Sequence, residues 1–190
     1  MLSKFDIKAV VIGGSAGSLQ VLNTIFSQLP DKTRLPIFVA VHRLKHVYTG
    51  MPESLNIKSK LHIVEPYDKQ AIAPGKIYLA PANYHMALER SGIFSMSSDE
   101  MVLGSRPSID ITLGSCAEYY KKNLLGILLT GANKDGADGM RKIHLNGGHT
   151  VVQDPKTCMI DTMPKAALAA TTIDQILSVE EIINLLKTIL

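Results

Sequence analysis

Cysteine is scarce in this 190-residue chain: there are two, Cys116 and Cys158. They stand far apart with no C-x-x-C spacing, which argues against a zinc module and against a disulfide framework. Both read as plain buried or half-buried thiols, at home in a reducing compartment. An excess of one charge is also missing. Twenty Lys and Arg against 17 Asp and Glu leave a net charge of +3, with no dense basic run. That pattern does not call for nucleic acid, although it would tolerate an acidic protein partner. No stretch reaches the roughly 18 apolar residues of a membrane helix. The short apolar run at the N-terminus lacks a signal-peptide cleavage pattern. The sequence therefore predicts a cytoplasmic protein that does not insert into membranes.

What is present is a sizeable apolar fraction, 46% of residues, enough for one domain with its own core over residues 1–190. Residues 7–13, 35–42 and 123–131 are short continuous apolar runs of the kind buried in parallel sheets. Residues 18–29 carry Leu19, Leu22, Ile25, Phe26 and Leu29 on one helical face. Two strands joined by that helix make a right-handed βαβ unit. Residues 75–90 read as two short strands around a Pro-Ala-Asn turn, with "GIFSMS" as a third, so an antiparallel insertion is expected at one side of the sheet. A helix should start near Pro107 and another near Gly136. Thr162 is a plausible N-cap for the helix that follows it, and Ser178 with Glu181 has capping-box spacing. The alternation predicts an α/β fold: three αβα layers around a doubly wound, mostly parallel sheet.

Ligands in such folds gather at the carboxyl ends of strands. Three of those ends carry chemistry. "VVIGGSAGSLQVL", Val10 to Leu22, places Ser15 after the first strand. His42 ends the second. Asp135 sits in "LLTGANKDGADGM" after the third. The first stretch lacks the G-x-G-x-x-G dinucleotide spacing and the terminal Gly-Lys-Ser/Thr of a Walker loop. A bare helix N-terminus could still hold a phosphate, which keeps a nucleotide-binding α/β protein as a third reading. Gly13 to Gly17 does satisfy G-x-S-x-G, which presents a serine on a strand-to-helix turn. A glycine-rich turn with an incidental serine has the same pattern.

A serine nucleophile needs a base, and the base needs a carboxylate to fix its tautomer. His42 is the histidine that ends a buried strand. His46, His62, His85, His144 and His149 read as solvent-facing or structural. Asp110, Asp135 and Asp154 are the candidate carboxylates. Asp135 leads, with a helix N-cap as its plainer role.

Taken together, "VVIGGSAGSLQVL", "VAVHR", "PGKIYLAPANYHM", "RPSID", "LLTGANKDGADGM", "GGHTVVQDPKT" and "MPKAAL" follow the motif order of one family. The chain resembles the catalytic domain of CheB-type chemotaxis protein-glutamate methylesterases along nearly its whole length. The resemblance implies hydrolysis of γ-glutamyl methyl esters on methylated chemoreceptor cytoplasmic helices, with glutamine deamidation as a further activity. It implies Ser15 as nucleophile, His42 as base, Asp135 as its orienting carboxylate, and backbone N–H groups at Ala16 and Ala132 for the oxyanion. No metal or organic cofactor is implied. Arg106 is a further candidate, either for an acidic receptor surface or for bracing the site.

Four stretches depart from the family pattern: Ala16 replaces a threonine, Val41-His42-Arg43-Leu44 replaces Gln-His-Met-Pro, Ala132-Asn133 replaces Met-Gly, and Thr162 replaces a glycine. These changes keep open a catalytically weak relative that binds a signalling partner protein. The first catalytic strand begins within a dozen residues of the start, so the expectation is a stand-alone domain without a receiver switch.

Overall fold

The computed structural model describes residues 6–43 and 50–190. Seven strands form one sheet in the order β3-β4-β2-β1-β7-β8-β9. They are β1 (Ala9–Gly14), β2 (Ile37–Val41), β3 (His62–Val64), β4 (Lys76–Leu79), β7 (Leu124–Leu128), β8 (His149–Gln153) and β9 (Gln175–Leu177). Every pairing in this sheet is parallel. The remaining two, β5 (His85–Leu88) and β6 (Phe94–Ser97), form an antiparallel pair of their own.

The residues of β1, β2 and β7 are buried throughout, as expected for strands covered on both faces. Their alternate side chains feed two cores. Val10, Ile12, Ile37, Val39 and Ile127 face Leu22, Ile25 and Phe26 of α1 (Ser18–Gln28), Leu55 of α2 (Met51–Lys58), and Ile182, Ile183 and Leu186 of α6 (Val179–Ile189). Val11, Phe38, Ala40 and Leu128 face the opposite core. It contains Ile109 and Leu113 of α3 (Ile109–Tyr120), Met140 and Ile143 of α4 (Ala137–Leu145), and Met163 and Ala167 of α5 (Thr162–Ala170). The three-layer α/β architecture expected from the alternation is therefore present.

Two expectations need correction. Lys76–Leu79 is not part of the antiparallel insertion. It joins the main sheet beside β2, with Ile77 opposite Ile37 and Tyr78 opposite Phe38. Its buried apolar residues serve a two-sided core, and the insertion is the β5–β6 pair alone. Thr162 is the first residue of α5 rather than its cap; Asp161 holds the N-cap position, and its side chain makes no cap hydrogen bond but pairs with Lys165. The Ser178–Glu181 capping box is formed as expected.

Candidate active site

The order of strands reverses at β1: the chain passes to β2 on one side and returns to β7 on the other. The crevice above such a reversal is where doubly wound folds bind ligands. The loops after β1, β2 and β7 meet there, and they carry Ser15, His42 and Asp135.

Ser15 occupies the turn between β1 and α1 and keeps a negative φ. The unusual backbone falls on Gly17, at φ +83°. A side chain at that residue would be strained and would also come within 2.9 Å of Met159 Cβ. The turn is tied from several directions. The Ser15 N–H donates to the Thr130 carbonyl at 3.0 Å, and the Ser18 N–H to the Ser15 carbonyl at 2.9 Å. The Ser18 hydroxyl donates to that same carbonyl at 2.6 Å. Gly13, next to last in the buried strand β1, admits no larger residue, because a Cβ there would lie 2.4 Å from Ile109 Cγ2.

Ser15 Oγ lies 3.1 Å from His42 Nδ1, and His42 Nε2 lies 2.7 Å from Asp135 Oδ2. The His42 side chain is 13% exposed, whereas that of Asp135 is fully buried. The Asp135 carboxylate also accepts from the Ser108 hydroxyl at 3.0 Å, the Ile109 N–H at 2.8 Å and the Asp110 N–H at 2.9 Å. Four donors converge on one carboxylate. Burial opposes its charge, but the hydrogen bond from His42 and those from the first turn of α3 hold it below the usual carboxylate range. An ionised Asp135 fixes the proton of His42 on Nε2 and leaves Nδ1 as the acceptor facing Ser15. Asn133 agrees with that assignment. Its Oδ1 accepts the Asp135 N–H at 3.1 Å, which turns its Nδ2 towards His42 Nδ1 at 3.4 Å.

The plainer role considered for Asp135, capping its own helix, is not the one it has. Gly136 is the N-cap of α4, with no side-chain cap. Asp110 instead accepts the N–H of Gly136 at 2.8 Å and that of Gly139 at 2.7 Å. Asp154 is remote in role: it caps the short turn at Pro155–Thr157.

Ala16 is half-buried and Ala132 exposed. Among the described residues, neither N–H donates to a protein acceptor. Arg106 places Nη1 against the carbonyls of Ser98 and Asp99, the latter at 2.7 Å, so it ties the stretch after β6 to the start of α3. Arg43 pairs with Glu65 at the ends of β2 and β3, and its side chain is 2% exposed. Leu44 and His46 lie outside the described residues.

Sequence reasoning passed over three participants. Ser108 and Asn133 touch Asp135 directly. His85, read as solvent-facing or structural, is buried and accepts the Ser108 N–H on Nδ1 at 3.1 Å, with Nε2 3.0 Å from the Glu100 carbonyl. The usable signal was Ser108 just before an apolar helix, the position of a cap. Nothing in the sequence placed Asn133 or His85 against these partners.

Residues 10–186 match the family model described as CheB methylesterase. A Leptospira interrogans protein named "Putative protein-glutamate methylesterase/protein-glutamine glutaminase" is 43% identical over 184 residues, which is 95% of this chain and 93% of that one. A protein-glutamate methylesterase/protein-glutamine glutaminase of Methanococcus maripaludis is 32% identical over 178 residues, and the match spans only 48% of its length. The crystal structure of the Thermotoga maritima CheB methylesterase catalytic domain superposes with a TM-score of 0.91 at 31% identity, covering 97% of this chain and 99% of that one. With a motif order, a fold and a matched span in agreement over almost every residue, the chain belongs to the CheB methylesterase family.

Proposed function

We propose that this chain is a single-domain cytoplasmic serine hydrolase that removes methyl groups from γ-glutamyl methyl esters on chemoreceptor helices. One observation carries the reading: Ser15, His42 and Asp135 are hydrogen-bonded in series at the carboxyl ends of three adjacent parallel strands. Ser15 Oγ attacks the ester carbonyl as its proton passes to His42 Nδ1. The imidazolium so formed is held by the Asp135 charge at Nε2. The backbone N–H groups of Ala16 and Ala132 receive the oxyanion, in keeping with their lack of acceptors among the described residues. Nδ1–H then protonates the departing methoxide, leaving an acyl-serine and methanol. Water, deprotonated by His42 Nδ1, attacks the acyl-serine, and the Nδ1–H then protonates the departing Ser15 Oγ, which restores the serine and leaves the glutamate carboxylate and a proton released to solvent. A glutamine side chain in the same position would release ammonia by the same steps. None of these steps requires a metal or organic cofactor.

A protein substrate suits the surroundings. A groove of about 560 Å³ begins at Gly17 and follows the exposed side of α1 past Leu19 and Asn23 to Lys58. Arg106 is read as the contact for acidic receptor residues as well as a brace.

Release of methanol from methylated receptor fragments tests the reading, with wild type set against Ser15→Ala. Wild type should release methanol and Ser15→Ala should not, while both unfold at the same temperature. Equal release by both would remove Ser15 from the reaction. Receptor binding without methanol release by wild type would assign the chain to partner binding instead.

A further inference from the structure

We propose that Asp110 is a positioning residue for this reaction, which fastens the loop of residues 131–136 and places a second negative charge behind Asp135. The proposal rests on the reading of Ser15, His42 and Asp135 as the reacting set.

The two carboxylates are exchanged between two helix ends. Asp135, just before α4, accepts the N–H groups of Ile109 and Asp110 at the start of α3. Asp110, at the start of α3, accepts the N–H groups of Gly136 and Gly139 at the start of α4. Each helix start presents unpaired N–H groups and a favourable potential for an anion. No side chain of its own N-cap closes the start of α4. Its N-cap is a glycine, and Asp138, the acid in that turn, is directed at Arg141 and Lys142. The side chain that fixes the start of α4, and with it the position of Asp135, therefore comes from the other helix. The helices approach closely here: a Cβ on Gly139 would lie 2.6 Å from Leu113 Cβ and 3.4 Å from Asp110 Cα.

The charged neighbours are few. From the loop before α4 Asp110 faces Asp135, with His42 beyond it. On α4 the charge of Asp138 is engaged with Arg141 and Lys142, and the Lys142 side chain lies over Gly114, one turn further along α3. β1 offers the uncharged Gly13 in this region, and Ser108, the N-cap of α3, is neutral. Among the described residues no cation pairs with Asp110. Burial, together with the Asp135 charge, pushes its carboxyl up to about 6, although the two N–H groups pull the other way. A carboxylate kept without a cation next to another carboxylate costs stability, and its two bonds go to Gly136, directly after Asp135, and to Gly139 in the first turn of α4.

Two measurements on wild type, Asp110→Ala and Asp110→Asn test this. The first is the NMR signal of the His42 Nε2–H in its hydrogen bond to Asp135. The second is the pH profile of methanol release from a methylated receptor fragment. Asp110→Ala should lose the His42 signal and about 10²-fold in kcat, the scale of a misplacement of about 1 Å. Asp110→Asn keeps an acceptor for both N–H groups. It should retain the signal, keep kcat within about tenfold of wild type, and move the acidic limb of kcat/KM to lower pH, because a negative charge behind the reacting set is gone.

An unchanged His42 signal in Asp110→Ala overturns the positioning role, whatever the activity. A profile of Asp110→Asn that coincides with wild type overturns the charge role, and decides alone if Asp110→Ala does not fold. Failure of wild type to release methanol would sink the reaction reading while the NMR comparison still decides whether Asp110 holds Asp135.

Discussion

Asn133 places its side-chain nitrogen 3.4 Å from His42 Nδ1, on the same lone pair that faces Ser15 at 3.1 Å. The amide is held for this by its oxygen, which accepts the Asp135 N–H. Asn133→Ala removes one weak donor to the base and leaves the Asp135 N–H without its partner. One lost hydrogen bond of about 1.4 kcal/mol corresponds to about a tenfold fall in kcat/KM. Hydrolysis of a small activated ester measures it. A rise in rate would mean that Asn133 chiefly competes with Ser15 for the ring.

Asp135→Asn is expected to lower kcat by about 10⁴-fold with little change in KM, because an amide no longer enforces the Nε2–H tautomer. Loss of one part in two would assign Asp135 to holding α3 only. The same carboxylate shapes stability against pH. Its folded value is depressed, so its contribution is complete above the ordinary 3.8 and is lost as pH falls through the folded value. Acid titration of the melting temperature should lose this component in Asp135→Asn.

Asp110 contributes with the opposite sign. Its folded value, about 6, lies above the ordinary 3.8, so the folded state binds the extra proton in that window. Stability from this group therefore falls as pH rises from about 4 to about 6 and stays lower above it. Asp110→Asn should melt at or above the wild-type temperature at pH 7, with the gap closing as pH falls towards 4. A variant that melts lower at pH 7 than at pH 4, relative to wild type, would contradict this.

Arg106→Glu should reduce turnover of a receptor fragment more than that of a small ester, because the reversed charge meets an acidic surface only with the protein substrate. Equal losses on both would limit Arg106 to tying the Ser98 and Asp99 carbonyls.

Gly17→Ala should destabilise the fold by about 1–2 kcal/mol for the left-handed backbone alone, with more from the clash at Met159. Thermal unfolding checks this. Unchanged stability would mean that the turn can rotate out of φ +83°.

The sequence made the centre of the sheet legible because β1, β2 and β7 are continuous apolar runs closed by glycine or polar residues. Ser15, His42 and Asp135 were legible for the same reason, since each follows one of those runs. The edge was harder. β3 is three residues long, and α2 buries only Leu55, so neither carries a periodic pattern. β4 resembled a hairpin strand because a turn and a second short strand follow it. Asp110 and Asn133 depend on contacts between segments about 25 and 90 residues apart in sequence, which no local spacing encodes.

The register of the sheet has a bearing on what the chain can tolerate. Gly14 is paired with Val41, and Gly13 with Leu128. Removing one residue from β2 would draw His42 back by one strand step, about 3.3 Å, and turn its ring to the opposite face. The contact to Ser15 spans 3.1 Å, so a single step exceeds the whole reach of the bond. Length changes are affordable on the far side of the molecule, where strands begin. On this side, the height at which each strand stops is as much a part of the chemistry as the residue that follows it.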